Sequence, residues 1–409
     1  MQLLDSATRN YSWGSKALIP HLQGKDSSDK PVAELWYGAH PADPSSVDGQ
    51  RLDAVIAADP QDSLGRRVEK RYGERLPFLL KILAAAEPLS LQAHPSKAQA
   101  EEGFERENRL GISLQASNRN YKDDNHKPEL IVALTPFYAM AGFRPLVRTR
   151  ELFDGLSCSA LDHYLGMLDD RPEAESDNLR ALFTTWITIP SSNRKELIAA
   201  VIASGEDLVA RLPREDWRSV VMSTVIRLNE QYPGDIGVLG ALLLNHVQLQ
   251  PGEAAYLNAG ELHAYVSGLG VEIMANSDNV LRGGLTPKFV DVPELVKVLT
   301  YKAAKDPRVE QVDKSAQANV HGAAVWSYPV PIEEFIIDRV ELKGTDSVDL
   351  DFDGPAIVLC TGGEAQARDI NGKTLQIAPS KAIWLPASEA TVSISAVNGG
   401  KAEVFVARV

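Results

Sequence analysis

The chain has 409 residues, enough for two or three folded units at ~150 residues each and for a core that needs no staple. Its 42 Lys and Arg against 55 Asp and Glu leave a net charge of -13, a field that repels phosphate backbones and anionic membranes, so neither nucleic acid nor a membrane is expected as a partner. A composition of 44% hydrophobic and 24% charged residues argues against a disordered chain, and two cysteines, Cys158 and Cys360, are too few for a disulfide framework and suit a reducing, cytoplasmic compartment.

Met1 to Asn10 holds no basic stretch followed by an apolar one, so no export signal is expected. The densest apolar stretch, Val238 to Leu244, is far short of the ~18 residues of a membrane span. From Glu34 to Ala141 short apolar runs (Leu76 to Leu83, Leu89 to Ala93, Leu130 to Leu134) are broken by Pro and Gly, which is the punctuation of strands. Between Arg144 and His246 the period becomes helical. Leu179, Leu182, Phe183 and Trp186 share one face, as do Leu197, Ile198, Val201 and Ile202, and Trp217, Val220, Val221 and Leu228 continue the pattern. From Val247 to Val409 short alternating strands return. The pattern predicts a β unit made of residues 1–143 and 246–325, a helical insertion at 144–245, and a second β unit at 326–409.

Several strands carry polar residues on one face. Lys81 is flanked by Leu79, Leu80, Ile82 and Leu83; at a strand edge it would snorkel, and inside a barrel it would be a desolvated cation wanting an anion. Pro88 to Pro95 alternates, so Ser90, Gln92 and His94 point one way and Leu89, Leu91 and Ala93 the other. A half-buried strand with a solvated face reads the same way, though Gln and His are not what such a face prefers. Asp123 to Ala133 enters another strand, with Lys127, Glu129 and Ile131 on one side and Leu130 and Val132 on the other. Alone, that Lys-x-Glu pair is an exposed ion pair worth at most ~1 kcal/mol.

Leu249 to Val266 aligns without gaps on Ile377 to Ile394. Pro251/Pro379, Ala254/Ala382, Leu257/Leu385, Ala259/Ala387 and Glu261/Glu389 are identical, which suggests two related β units. His263 in the first copy faces Thr391 in the second, and Tyr265 faces Ser393, so chemistry is expected in the first copy. There Glu261, His263 and Tyr265 share a face. The segment from Gly252 to His263 resembles the second sequence motif of cupins, with Asn258-Ala259-Gly260 where Pro-x-Gly is usual. Cupins are double-sheet jelly rolls, and the resemblance implies a metal inside the barrel. Three separate strands thus offer His94, Glu129 and His263, with Gln92 as a neutral oxygen donor: two imidazoles, a carboxylate and an amide, a plausible zinc set. In the loop from Asn276 to Lys288, Arg282 precedes two glycines and Lys288 follows, which suits a phosphate and equally an ordinary surface turn.

Over nearly all its length the chain resembles type I phosphomannose isomerases. The matching pieces are Asn10-Tyr-Ser-Trp-Gly14, Ala33-Glu-Leu-Trp-Tyr-Gly-Ala-His-Pro41, Pro77-Phe-Leu-Leu-Lys81, Leu89-Ser-Leu-Gln-Ala-His-Pro95, Asn120-Tyr-Lys-Asp123, His126-Lys-Pro-Glu-Leu130, His263-Ala-Tyr265, Glu272-Ile-Met-Ala-Asn-Ser-Asp-Asn-Val280 and Gly284-Leu-Thr-Pro-Lys288. The resemblance implies a mainly β protein: a catalytic cupin-type jelly roll, an inserted all-α domain and a second, metal-less cupin-like C-terminal domain. It places one Zn2+ per chain on Gln92, His94, Glu129 and His263, and the active-site arginine on Arg282. It assigns phosphate to Ser90 and Lys288, and the sugar site to Lys81, Lys127, Tyr265 and Asp278. Leu262 stands where Pro is common and Gly283 where Ala is frequent, departures that touch backbone geometry rather than ligand identity.

The implied reaction interconverts mannose 6-phosphate and fructose 6-phosphate by moving a proton between C1 and C2 through a cis-enediol. Lys127 is then the expected proton carrier, with Asp278, His126 and zinc-bound water as rivals, and Arg282 the stabiliser of the enediolate. The expected partner is a small sugar phosphate, the expected state a monomer in the cytoplasm, and the expected setting carbohydrate metabolism leading to GDP-mannose. The alternatives are a non-catalytic cupin that senses a sugar phosphate, or a cupin enzyme of another kind, such as an isomerase of glucose 6-phosphate or a metal-dependent oxygenase.

Overall fold

The computed structural model describes residues 1–409 apart from 170 and 305. Among the described residues the strands make three sheets of eleven, nine and five strands, and six α-helices separate strand Phe137–Phe143 from strand Leu244–Leu249. The protein is mainly β with a helical insertion.

The eleven-stranded sheet is organised around the long strand His263–Ala275. Antiparallel neighbours Phe78–Ala85 and Glu129–Ala133 flank its second half, and Leu91–Ala93 and Phe137–Phe143 pair with its first residues. Both faces are buried. On one face Leu80, Ile82, Leu130, Val132, Val271 and Ile273 join Phe335, Ile357, Trp384 and Phe405 in a core shared with the C-terminal β unit. Period-two alternation turns Lys81, Glu129 and Glu272 to the other face, where Leu83, Ile131, Phe137 and Tyr265 form a smaller cluster. A strand buried on both sides must place polar side chains where partners exist, because an unpaired buried charge is costly.

The helical insertion packs on the backs of the strands that carry the polar face. Leu91, Ala93, Leu262, Leu281 and Leu285 share one core with Leu179, Leu182, Phe183, Trp186, Leu197, Ile198 and Val201. Val220 departs from its expected place. It is 37% exposed, while Val221, Met222, Val225 and Leu228 bury the face of helix Trp217–Gln231.

Three further elements differ from expectation. The stretch from Glu34 to Ala141, read as strands, also holds helices Leu52–Ala58, Pro60–Tyr72 and Lys97–Arg109. The last two begin with recognisable caps: Asp59 accepts from the Asp62 amide ahead of Pro60, and Ser96 with Gln99 forms a reciprocal capping box. The first strand, Gln2–Asp5, pairs with Ala382–Leu385 and so lies in the nine-stranded sheet, built mostly from residues 312–408. That sheet also takes Val312–Asp313 and Ala324–Ser327, so a division between 325 and 326 cuts through it. The internal repeat has a structural counterpart: Ala254–Leu257 and Ala382–Leu385 are strands at aligned positions, followed by strands opening at His263 and Val392.

Candidate metal centre

Strand starts and ends converge on one point. His94 follows strand Leu91–Ala93, Glu129 opens strand Glu129–Ala133, and His263 opens strand His263–Ala275. His94 Nε2 lies 3.2 Å from Glu129 Oε1 and His263 Nε2 lies 3.5 Å from Glu129 Oε2, all three side chains being buried. Their potential ligand atoms fall within 4.8 Å of one another. Gln92 is register-paired with His263, and its amide nitrogen lies 3.5 Å from His263 Nε2. Half a turn of that amide exchanges nitrogen for oxygen and presents a fourth donor at the same place.

Two backbone carbonyls fix the tautomers. His94 Nδ1 is 2.7 Å from the Asn279 carbonyl and His263 Nδ1 is 2.9 Å from the Glu261 carbonyl. A carbonyl only accepts, so each Nδ1 carries the proton and each Nε2 turns a lone pair toward Glu129. His94 Nε2 and Glu129 Oε2 are buried without a hydrogen-bond partner. Burial, aided by the charge of Lys127, pushes the His94 imidazole down to about 4, which keeps it neutral near pH 7. Burial would raise the Glu129 carboxyl, but Lys127 and the two imidazoles hold it well below the usual carboxylate range. Two imidazoles held by carbonyls at Nδ1, one of them with an unpartnered Nε2, a carboxylate and an amide fit a divalent, borderline-soft cation such as zinc.

Residues 1–146 match the family described as phosphomannose isomerase type I, catalytic domain, and residues 159–244 match its helical insertion domain. The mannose-6-phosphate isomerase of Escherichia coli (strain K12) is 37% identical over 413 residues, 99% of each chain. That of Emericella nidulans is 38% identical over 373 residues, 82% of this chain and 78% of its own. The chain belongs to the type I phosphomannose isomerase family. A variant of phosphomannose isomerase from Salmonella typhimurium superposes with a TM-score of 0.86 at 34% identity, covering 100% of this chain and 99% of its own. A zinc-bound holo mannose 6-phosphate isomerase superposes with a TM-score of 0.85 at 34% identity, covering 100% and 98%.

Around the cluster this phosphomannose isomerase relative sets a row of charges. Lys127 Nζ is 3.0 Å from Glu129 Oε1. Lys81 meets its expected anion inside the protein: the register pairs it with Glu272, whose Oε2 is 2.7 Å from Nζ, and Glu34 Oε1 is 3.8 Å away. Burial opposes that ammonium, yet Glu272 and Glu34 outweigh it and hold its pKa above the ordinary lysine range. Trp36 completes the group, donating from Nε1 to Glu34 Oε2 at 2.7 Å. Tyr265 is buried with its hydroxyl unpartnered.

Arg282 is register-paired with Gln92, is partly buried, and has no carboxylate partner among the described residues; burial alone lowers its pKa. Lys288 is exposed, and partial burial with the charges of Arg282 and Lys122 lowers its pKa. Ser90 is partly buried just before strand Leu91–Ala93. Asp278 accepts no cation; its amide donates to Asp123 Oδ2 at 2.7 Å, and its Oδ1 lies 3.7 Å from His40 Nε2. His40, His126 and Asp278 line a cavity of about 680 Å³ that no residue of the ligand cluster lines. Glu272, Glu34, His40, Lys122 and Asn279 were not singled out from sequence. The quoted motifs contain all five, and only the strand register and loop packing assign them partners.

Proposed function

We propose that this protein is a zinc-dependent aldose-ketose isomerase that interconverts mannose 6-phosphate and fructose 6-phosphate. The observation that carries the reading is the buried His94, Glu129 and His263 group, with both imidazole lone pairs aimed at one carboxylate, beside an arginine that lacks an anion. The relatives bearing that activity in their names span almost the whole chain.

Gln92, His94, Glu129 and His263 would hold one zinc, which when bound supplies a Lewis-acidic charge that can polarise a sugar oxygen or order the site. The remaining work falls to the chain's own groups. Arg282, a forked cation with no carboxylate partner among the described residues, suits the charge that develops on the enediolate oxygens. Lys127 carries the proton between C2 and C1 through a cis-enediol, with Asp278 and His126 as the alternative carriers on the cavity side. Lys288 and Ser90 hold the phosphate, Lys288 being a cation that feels the charges of Arg282 and Lys122 and that an anion would relieve. Tyr265 offers a hydroxyl to a sugar oxygen, and Lys81, locked between Glu272 and Glu34, shapes the wall of the sugar site.

The site is drawn from one chain, which supports action as a monomer, readable by light scattering after size exclusion. Among the described residues no helix is long and apolar enough to cross a membrane. Both cysteines are free and buried, which supports a cytoplasmic location. The deciding experiment is metal analysis of purified protein with turnover of mannose 6-phosphate and glucose 6-phosphate before and after chelation. The reading expects one zinc per chain, mannose 6-phosphate turnover lost on chelation and restored by zinc; full activity in a verified metal-free sample, or turnover of glucose 6-phosphate alone, overturns it.

A further inference from the structure

The C-terminal β unit reaches the segment that enters strand Glu129–Ala133 through the side chain of Glu334. Glu334 lies just before strand Ile336–Lys343, and its Oε1 is 2.7 Å from Nε2 of His126, 208 residues earlier in the chain. Neither group is a loose surface charge: Glu334 is 17% and His126 20% exposed.

The reach is anchored on both sides of Glu334. Phe335, next in sequence, is 1% exposed and sits in the core shared by the two β units. Upstream, the Tyr328 hydroxyl donates to the Gly252 carbonyl at 2.7 Å, in the turn that opens the first copy of the repeat. The second carboxylate oxygen of Glu334 accepts from the Glu333 amide at 3.2 Å, which leaves Oε1 for the imidazole. Burial would raise the Glu334 carboxyl, but the bond and charge of His126 outweigh it and hold it below the ordinary range. On the other side, His126 adjoins Lys127, whose ammonium is 3.0 Å from Glu129, and His126 and Glu334 line the same cavity as Asp278.

We infer that Glu334 is a positioning residue of the isomerase site: by accepting from His126 Nε2 it fixes the imidazole, and with it the segment that delivers Lys127 and the cavity wall facing Asp278. This gives the C-terminal β unit a part in turnover, and it rests on the function proposed above. A bare interdomain clamp makes a different set of predictions, because a clamp acts on folding and metal retention, whereas a positioning bond acts on the reacting geometry.

The test compares zinc-loaded wild-type protein with the variants E334A and E334Q, measuring kcat and KM for mannose 6-phosphate, zinc content and thermal midpoint. The inference expects E334A to lose about tenfold in kcat, the low end of what loss of a positioning hydrogen bond costs, with KM within about twofold. Zinc content and thermal midpoint should stay at wild-type values. E334Q keeps an acceptor oxygen and should recover most of kcat. An unchanged kcat in E334A overturns the inference, as does E334Q falling as far as E334A, or a loss of kcat matched by lost zinc or a lowered midpoint. Wild-type protein inert toward mannose 6-phosphate overturns the proposed function and this inference together; active wild type with indifferent Glu334 variants overturns this inference alone.

Discussion

The backbone carbonyl of Asn279 holds His94 Nδ1 at 2.7 Å while the side chain of the same residue ties down the loop of residues 122–125. Asn279 Oδ1 accepts from the amides of Lys122 and Asp123 at 2.7 and 3.2 Å, and Nδ2 donates to the carbonyls of Asp123 and Asn125 at 2.8 and 2.9 Å. The residue is fully buried, so its own side-chain amide depends on these partners rather than on water. The lone pair that His94 offers at Nε2 is therefore set by a residue that is not itself a ligand.

Replacing Asn279 by Ala removes both side-chain groups and leaves two amides and two carbonyls of residues 122–125 to find other partners. We expect a loss of about 2–4 kcal/mol in unfolding free energy and about 10–100-fold weaker zinc binding as the carbonyl that holds His94 loses its support. Asn279→Asp should be at least as damaging, because a carboxylate would then face the carbonyls of Asp123 and Asn125. Urea unfolding and competitive zinc titration measure the two effects; wild-type zinc affinity in Asn279→Ala would show that His94 needs no such support.

Acidification should weaken the metal-free protein in a defined window. The folded-state value of His94, about 4, lies below the 6.5 of an exposed imidazole, so below pH 6.5 the unfolded chain binds a proton that the folded chain does not. The stability that His94 contributes by staying neutral is complete above pH 6.5, falls as pH drops toward 4, and is spent below that. The loss is of order 3 kcal/mol at 1.4 kcal/mol per pH unit. His246, whose imidazole burial also takes to about 4, adds a drop of the same sign. Urea midpoints of the metal-free protein at pH 7.5, 6, 5 and 4 would follow this; a rise in stability between pH 6.5 and 4.5 would contradict it.

The metal cluster was legible in the sequence because strand period, the internal repeat and the family resemblance nominate the same four residues. Alternation put Gln92 and His94 on one face, a second strand supplied Glu129, and comparison of the two repeat copies isolated His263. The helical insertion was legible through its period of about 3.6 residues. What the sequence did not disclose depends on which strands and loops meet. Glu272 finds Lys81 through a register 191 residues long in chain separation, and Asn279 acts through a contact between two loops 156 residues apart. The four residues Gln2–Asp5 carry no local mark of pairing with Ala382–Leu385. Helices Leu52–Ala58 and Pro60–Tyr72 are short and abut, so neither shows a sustained period.

Removal of the Lys81 charge should cost more than removal of the whole group would. Lys81→Met leaves Glu272 and Glu34 buried side by side without their cation, and breaking a buried pair in this way costs about 3–5 kcal/mol. The double variant Lys81→Met with Glu272→Gln should recover part of that loss, because one of the two stranded carboxylates is gone. A thermodynamic cycle over the two singles and the double, by urea unfolding, gives the coupling directly; additive losses would mean that Lys81 answers to something other than Glu272.

Arg282 is the residue where charge and shape separate. Lys in its place keeps the positive charge near Lys288 and Lys122 but loses the planar fork, and no ligand of the metal cluster is altered. If Arg282 stabilises the enediolate, Arg282→Lys should lower kcat by about 10²–10³-fold, the cost of losing one preorganised donor at a developing oxyanion, with KM little changed. If Arg282 instead grips the phosphate of the bound sugar, KM should rise while kcat holds, since that contact is equal in ground and transition states. Zinc content should match wild type in either case, and a variant that loses zinc would mean that Arg282 acts through its register neighbour Gln92.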